Sequence, residues 1–162
     1  MPRNLYMRYY LMGIGLLIVD QLTKLAVRTN IAVGESVNIL GSFFRLTHVE
    51  NRGAAFSILS GKTVLLIIVT VLVMIIAIAY LHKHKGLHWM AYTSGALIIS
   101  GGAGNLIDRA VAGHVTDMFD FSIFPPVFNV ADIGIVVGCG LFVLYVLLED
   151  KLNEDKKKDG TQ

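Results

Sequence analysis

Seven polar residues have types that suit hydrolytic chemistry and recur through the whole chain: Asp20, Asn51, Asn105, Arg109, Asp117, Asn129 and Asp132. Two carboxylates in close contact cannot both ionise, so one stays protonated while the other is charged. Such a pair hydrolyses a peptide bond. The ionised member takes a proton from water, and the protonated member donates to the scissile carbonyl oxygen. By residue type and spacing, the pair is any two of Asp20, Asp117, Asp120 and Asp132. Other chemistries find less support. His48 and His114 are the only histidines in the same parts of the chain, and the single cysteine, Cys139, lies in an apolar run. A set of carboxylates and amides lacks any recognised metal spacing, and no Cys/His pattern is present, so neither a metal nor another cofactor is expected.

The elements that carry these residues are set by composition. Of 162 residues, 54% are hydrophobic and 16% charged. A soluble domain has roughly 25% charged residues, so this chain reads as an integral membrane protein. The net charge of +2 is too mild to imply nucleic acid as a partner. A span needs about 20 mostly apolar residues. Residues 64–81, 89–107 and 133–148 are free of charge. The expected fold is all-α membrane, a single domain over residues 1–150, with spans at about 5–26, 63–81, 89–107 and 131–148. Residues 151–162 form a charged, unstructured cytoplasmic tail. The first span has Arg3 and Arg8 ahead of it, like a signal peptide, but Asp20 and Lys24 stand where a cleavage region belongs, so it reads as a retained helix.

Four spans place both termini on one side. The termini and the turn at residues 81–87 carry eight Lys and Arg, and the other side carries six, which makes the termini cytoplasmic. Residues 29–61 and 108–128 are then external. In the first, residues 36–40 and 43–49 alternate apolar and polar around Gly41-Ser42, which predicts a β-hairpin with a two-residue turn. The seven polar residues all fall near one depth, the outer membrane face. Each also has a plainer reading. Asp20 pairs with Lys24 at i,i+4, Asp132 caps a helix, and Asp108 and Arg109 mark a helix end in water. Gly101, Gly102 and Gly104 permit close helix packing. Convergence of the whole set on one face favours a site.

Two other classes of membrane protein use buried polar groups. An ion-coupled transporter keeps them near the midplane between repeats, and no repeat is present. An assembly protein uses small residues and Ser or Thr in pairwise contacts, not aspartates beside asparagines in external turns.

Five stretches carry a family resemblance: Asp20-Gln21-Leu22-Thr23-Lys24, Asn51-Arg52-Gly53-Ala54-Ala55-Phe56-Ser57, residues 101–109, His114-Val115-Thr116-Asp117, and Phe128-Asn129-Val130-Ala131-Asp132. In this order the chain resembles lipoprotein signal peptidase (signal peptidase II), the bacterial aspartic peptidase of the membrane. The resemblance implies four helices with an external β-cradle. It implies a prolipoprotein substrate, cut just before a cysteine that already carries diacylglyceryl, in the cytoplasmic membrane and in contact with its lipid. It places Asp117 and Asp132 on the catalytic aspartates, and Asp20, Asn51, Gly53, Asn105, Arg109 and Asn129 on substrate-binding or supporting positions. It makes Asp120 the lesser candidate. Asn105 and Asn129 are expected to fix the two carboxylates, and Asn51 and Arg109 to hold substrate carbonyls or the lipid ester. Met118 departs from the aromatic usual after the aspartate. A monomer suffices.

Overall fold

Four long apolar stretches free of proline wind into helices: α1 (Arg3–Asn30), α2 (Thr63–Lys83), α3 (Trp89–Ala112) and α4 (Val130–Asp159). The structure is a computed structural model that describes residues 3–53, 61–84 and 86–159, with side chains from Tyr6 to Glu149 within them. Ala54-Ala55-Phe56-Ser57 of the second motif and Lys85 lie outside the described residues. Among the described residues, three stretches are long and apolar enough to cross a membrane: Tyr6–Asn30, Thr63–Lys83 and Val130–Glu149. Helix α3 is more polar because it sits at the centre, packed against α1, α2 and α4. It buries Ser94, Ser100, Asn105 and Asp108 where a lipid-facing helix would carry apolar side chains. On α2, by contrast, Leu66 is the one buried residue.

Helix bounds differ from the expected spans. Helix α3 continues past residue 107 to Ala112 and ends where Gly113, at φ 77°, takes the left-handed conformation and donates its N–H to the Arg109 carbonyl. Helix α4 does not stop at the membrane-type run. It continues through the charged run to Asp159, where an unstructured tail was expected.

The segments between α1 and α2 and between α3 and α4 supply four strands, β1 (Ser36–Leu40), β2 (Phe44–Asn51), β3 (Val115–Phe121) and β4 (Phe124–Phe128), in one antiparallel sheet of order β1-β2-β3-β4. The expected first hairpin is present, but its loop has three residues rather than two. Leu40 pairs with Phe44, and the Phe43 N–H bonds the Leu40 carbonyl. Gly41, at φ 55°, provides the left-handed position this loop needs. The second hairpin was not anticipated, because its strand β4 contains Pro125 and Pro126. As an edge strand it tolerates their missing donors. The aromatics Phe44, Phe121 and Phe128 stack across the sheet, and Phe119 meets Phe44 and Phe128 at tilted and edge-on angles.

The glycines of α3 set how near its neighbours come. A Cβ on Gly101 would lie 2.5 Å from the Ala131 carbonyl oxygen of α4, and one on Gly104 would lie 2.5 Å from Asp20 Oδ2 of α1. These contacts hold the start of α4 and the carboxylate of α1 against the same turn of α3. Gly101→Ala therefore pushes two backbones apart. It should destabilise the protein by about 1–3 kcal/mol, read as a lower thermal midpoint in detergent.

Candidate active site

The site forms where the start of α4, the first half of β3 and the C-terminal turns of α3 meet. Asn129 precedes α4 and caps it. Its Oδ1 accepts from the Asp132 N–H at 2.9 Å, and Asp132 Oδ2 accepts from the Asn129 N–H at 3.2 Å. This reciprocal pair is a capping box with Asp in the third position. So the capping reading of Asp132 is correct, and it uses only one of the two carboxylate oxygens. The other, Oδ1, accepts from Asn105 Nδ2 at 2.8 Å.

Asp117 comes from β3 and is buried. Its Oδ1 accepts from Asn129 Nδ2 at 2.6 Å and its Oδ2 from Asn51 Nδ2 at 2.8 Å. Asn129 therefore touches both carboxyl groups. Asn51, on the last residue of β2, has its own Oδ1 engaged by the Gly53 N–H at 2.9 Å. The structure thus places Asn51 on Asp117 and on the turn at Gly53. Arg109, one helical turn beyond Asn105, donates to the Gly53 carbonyl at 3.0 Å and to the Asn105 carbonyl at 3.4 Å.

Burial raises the Asp117 carboxyl first, and the negative charge of Asp132 raises it further. The amides of Asn51 and Asn129 oppose both, and the group is pushed up to about 7. A carboxyl that titrates near neutrality beside a second carboxyl can hold a proton for donation while its partner is charged.

Asp20 does not face the pair. Its Oδ1 accepts from the Ala131 N–H at 2.9 Å, so α1 caps α4 alongside Asn129. Its Oδ2 meets Lys24 Nζ at 2.9 Å. Lys24 was visible in the sequence only as an i,i+4 partner of Asp20. In the structure it is 0% exposed, and it also pairs with Asp108 Oδ2 at 3.1 Å and donates to Asn105 Oδ1 at 3.0 Å. Asp108, expected at a helix end in water, is instead buried. It also pairs with Arg28 Nη2 at 2.8 Å and accepts from the Thr116 N–H at 3.1 Å. Arg28 Nε donates to Thr116 Oγ1 at 2.7 Å. Two cations and two carboxylates balance in this cluster, and it fastens the residue next to Asp117. The sequence signal for it was the pair of charges inside an apolar helix, which are rare unless paired.

The remaining candidates lie elsewhere. Asp120 pairs with Arg45 at 2.6 Å and accepts from Thr47 Oγ1 at 2.9 Å, on the sheet. His48 Nδ1 meets the Ile31 carbonyl at 2.7 Å, and His114 lies 3.6 Å from Glu50. Among the described residues, no group of three or more His, Cys, Asp or Glu is arranged to hold a metal ion. Met118 is fully buried.

A buried aspartate and a half-buried one, bridged by a single asparagine at the junction of a sheet and a membrane-type helix bundle, fit the class of aspartic peptidases of the membrane. The sequence model described as Signal peptidase (SPase) II matches residues 12–148. A lipoprotein signal peptidase of Halothermothrix orenii is 41% identical over 90% of this chain and 99% of its own length. One from Clostridium acetobutylicum is 40% identical over 95% of this chain and 99% of its own. A solved bacterial membrane enzyme superimposes with a TM-score of 0.80 at 32% identity, covering 90% of each chain. The chain belongs to the signal peptidase II family, as its motifs led us to expect.

The buried cluster and the exposed ion pairs should respond differently to mutation. Asp108→Asn leaves Lys24 and Arg28 with one carboxylate between them, and should cost about 3–5 kcal/mol of stability. Arg45→Ala breaks a pair whose arginine is 44% exposed, and should cost less than about 1 kcal/mol. Thermal melts of the two variants in detergent check the contrast.

Proposed function

We propose that this chain removes the signal peptide from diacylglyceryl-modified prolipoproteins, cutting just before the lipidated cysteine, with Asp117 and Asp132 as its catalytic pair. The observation that carries this reading is Asn129, whose side chain and backbone bond both carboxyl groups from one residue. The ionised member of the pair takes a proton from water, and that water attacks the scissile carbonyl. The protonated member donates to the carbonyl oxygen as it becomes tetrahedral, and a proton then passes to the leaving amine. Asn105 and Asn51 hold the two carboxylates in line. Asp20 holds the start of α4, and Gly53 carries the turn that Arg109 grips. Arg109 has five N–H donors, more than its bonds to Gly53 and Asn105 use, which suits it to a substrate carbonyl or lipid ester.

In this reading all four helices span the cytoplasmic membrane, α3 included. Its 24 residues reach about 36 Å, enough to cross. Both termini are cytoplasmic, as the Lys and Arg bias favours, and the pair lies at the outer face. The apolar part of a signal peptide then lies among the helices, and the acyl chains lie in lipid. The protein acts as a monomer, without metal or other cofactor and without nucleic acid.

Purified protein in detergent, given a diacylglyceryl-modified prolipoprotein, should cleave it. Asp117→Asn and Asp132→Asn should each lose at least roughly a hundredfold in kcat while melting normally. Cleavage that survives in either folded variant would move the pair to other residues. The kcat/KM of the wild type should fall as pH rises through about 7, because the proton held with Asp117 is then lost. An alkaline limb well above that value would contradict the pairing.

A further inference from the structure

Lys24 offers three N–H donors and uses them on three acceptors: Asp20 Oδ2 at 2.9 Å, Asp108 Oδ2 at 3.1 Å and Asn105 Oδ1 at 3.0 Å. The first two bonds neutralise charge. The third does something else. A primary amide can present either its oxygen or its NH2 to a neighbour, and the two ends exchange by a flip of the side chain. An ammonium group accepts nothing, so beside Lys24 only the oxygen of Asn105 is tolerated. Asn129 Nδ2 donates to the same oxygen at 3.2 Å. The NH2 end is thereby turned to Asp132 Oδ1, at 2.8 Å.

We propose that Lys24 is a positioning residue for the hydrolysis: its ammonium fixes the Asn105 amide, so that Nδ2 always faces Asp132 and holds that carboxylate against its partner. This rests on the reading of Asp117 and Asp132 as the catalytic pair. Without the ammonium, only the 3.2 Å bond from Asn129 opposes a flip that presents the amide oxygen to the carboxylate. Two acceptors then repel, and Asp132 loses a donor that its ionised form needs. The positive charge also acts on the pair across Asn105. Around Lys24 and the two aspartates stand Asp20 and Arg28 of α1, and Asp108 and Arg109 of α3. Asn51 of β2 is neutral.

The test uses full-length protein in detergent and a diacylglyceryl-modified prolipoprotein. Removing Lys24 alone strands Asp20, so Asp20→Asn serves as the reference, and Lys24→Met or Lys24→Gln is added to it. Adding Lys24→Met should lower kcat roughly tenfold to a hundredfold below the reference, with KM changed by less than about twofold. Gln at that position restores an N–H donor for Asn105 but no charge. It should recover part of the kcat, while the acid limb of the pH–rate profile stays shifted to higher pH in both double variants, since a cation that favoured the ionised pair is gone. Double variants that fold and match the kcat and pH profile of the reference would overturn the proposal. So would double variants that fail to melt cooperatively while Asp20→Asn folds, because Lys24 would then serve the fold alone. A change confined to KM would overturn it as well. A folded wild type that cleaves nothing would remove the peptidase reading itself, and this inference with it.

Discussion

An ionised group leaves water only when a partner of opposite charge or a full set of hydrogen bonds replaces its hydration. Lys24 meets that condition at a point where α1 and α3 touch, and much of the site is arranged around it. Its carboxylate partners each have a second task. Asp20 caps α4 through the Ala131 N–H, and Asp108 anchors β3 through the Thr116 N–H. One buried cation thus ties together the two elements that carry Asp117 and Asp132. The glycines of α3 serve the same end, since a side chain at Gly104 would occupy the space of the Asp20 carboxylate.

The site illustrates how a polar network can be both structural and chemical. Asn129 caps a helix, as a residue at that position often does, yet the same side chain reaches Asp117. Asp132 completes the cap with one oxygen and keeps the other for Asn105. Capping is therefore compatible with the catalytic role proposed for these residues. The cap fixes the backbone and one oxygen, which leaves the carboxylate little freedom to rotate.

Much of this was legible in the sequence, and the rest was hidden for definite reasons. Apolar run length located the helices, and alternation around Gly41-Ser42 located the first hairpin. The motifs identified the family. The true ends of α3 and α4 were not legible, because charge was taken as the boundary and both helices run past it. The second hairpin was obscured by Pro125 and Pro126, which argue against a strand unless it lies at an edge. Lys24 could be read only as the neighbour of Asp20, since Asn105 and Asp108 lie far along the chain and spacing carries no information at that range. Asn51 was expected to face substrate, and its bond to Asp117 depends on the β2–β3 register, which the sequence does not encode locally.

The i,i+4 spacing of Asp20 and Lys24 has a consequence for how the protein is made. A nascent α1 enters the bilayer before α3 or α4 has been synthesised, and at that stage neither Asp108 nor the Ala131 amide is available. The opposite charges lie one turn apart on the same helix, so Lys24 enters the bilayer with Asp20 already in place as its counterion. When the later helices arrive, Lys24 adds Asp108 and Asn105 to its partners, while Asp20 turns its second oxygen to α4. Asp117 and Asp132 are brought into register only at that last step, after the chain from Asp20 to Asp132 is complete. A half-translated chain in the translocon thus lacks the Asn129 bridge between the two aspartates, which forms only when the last helix arrives.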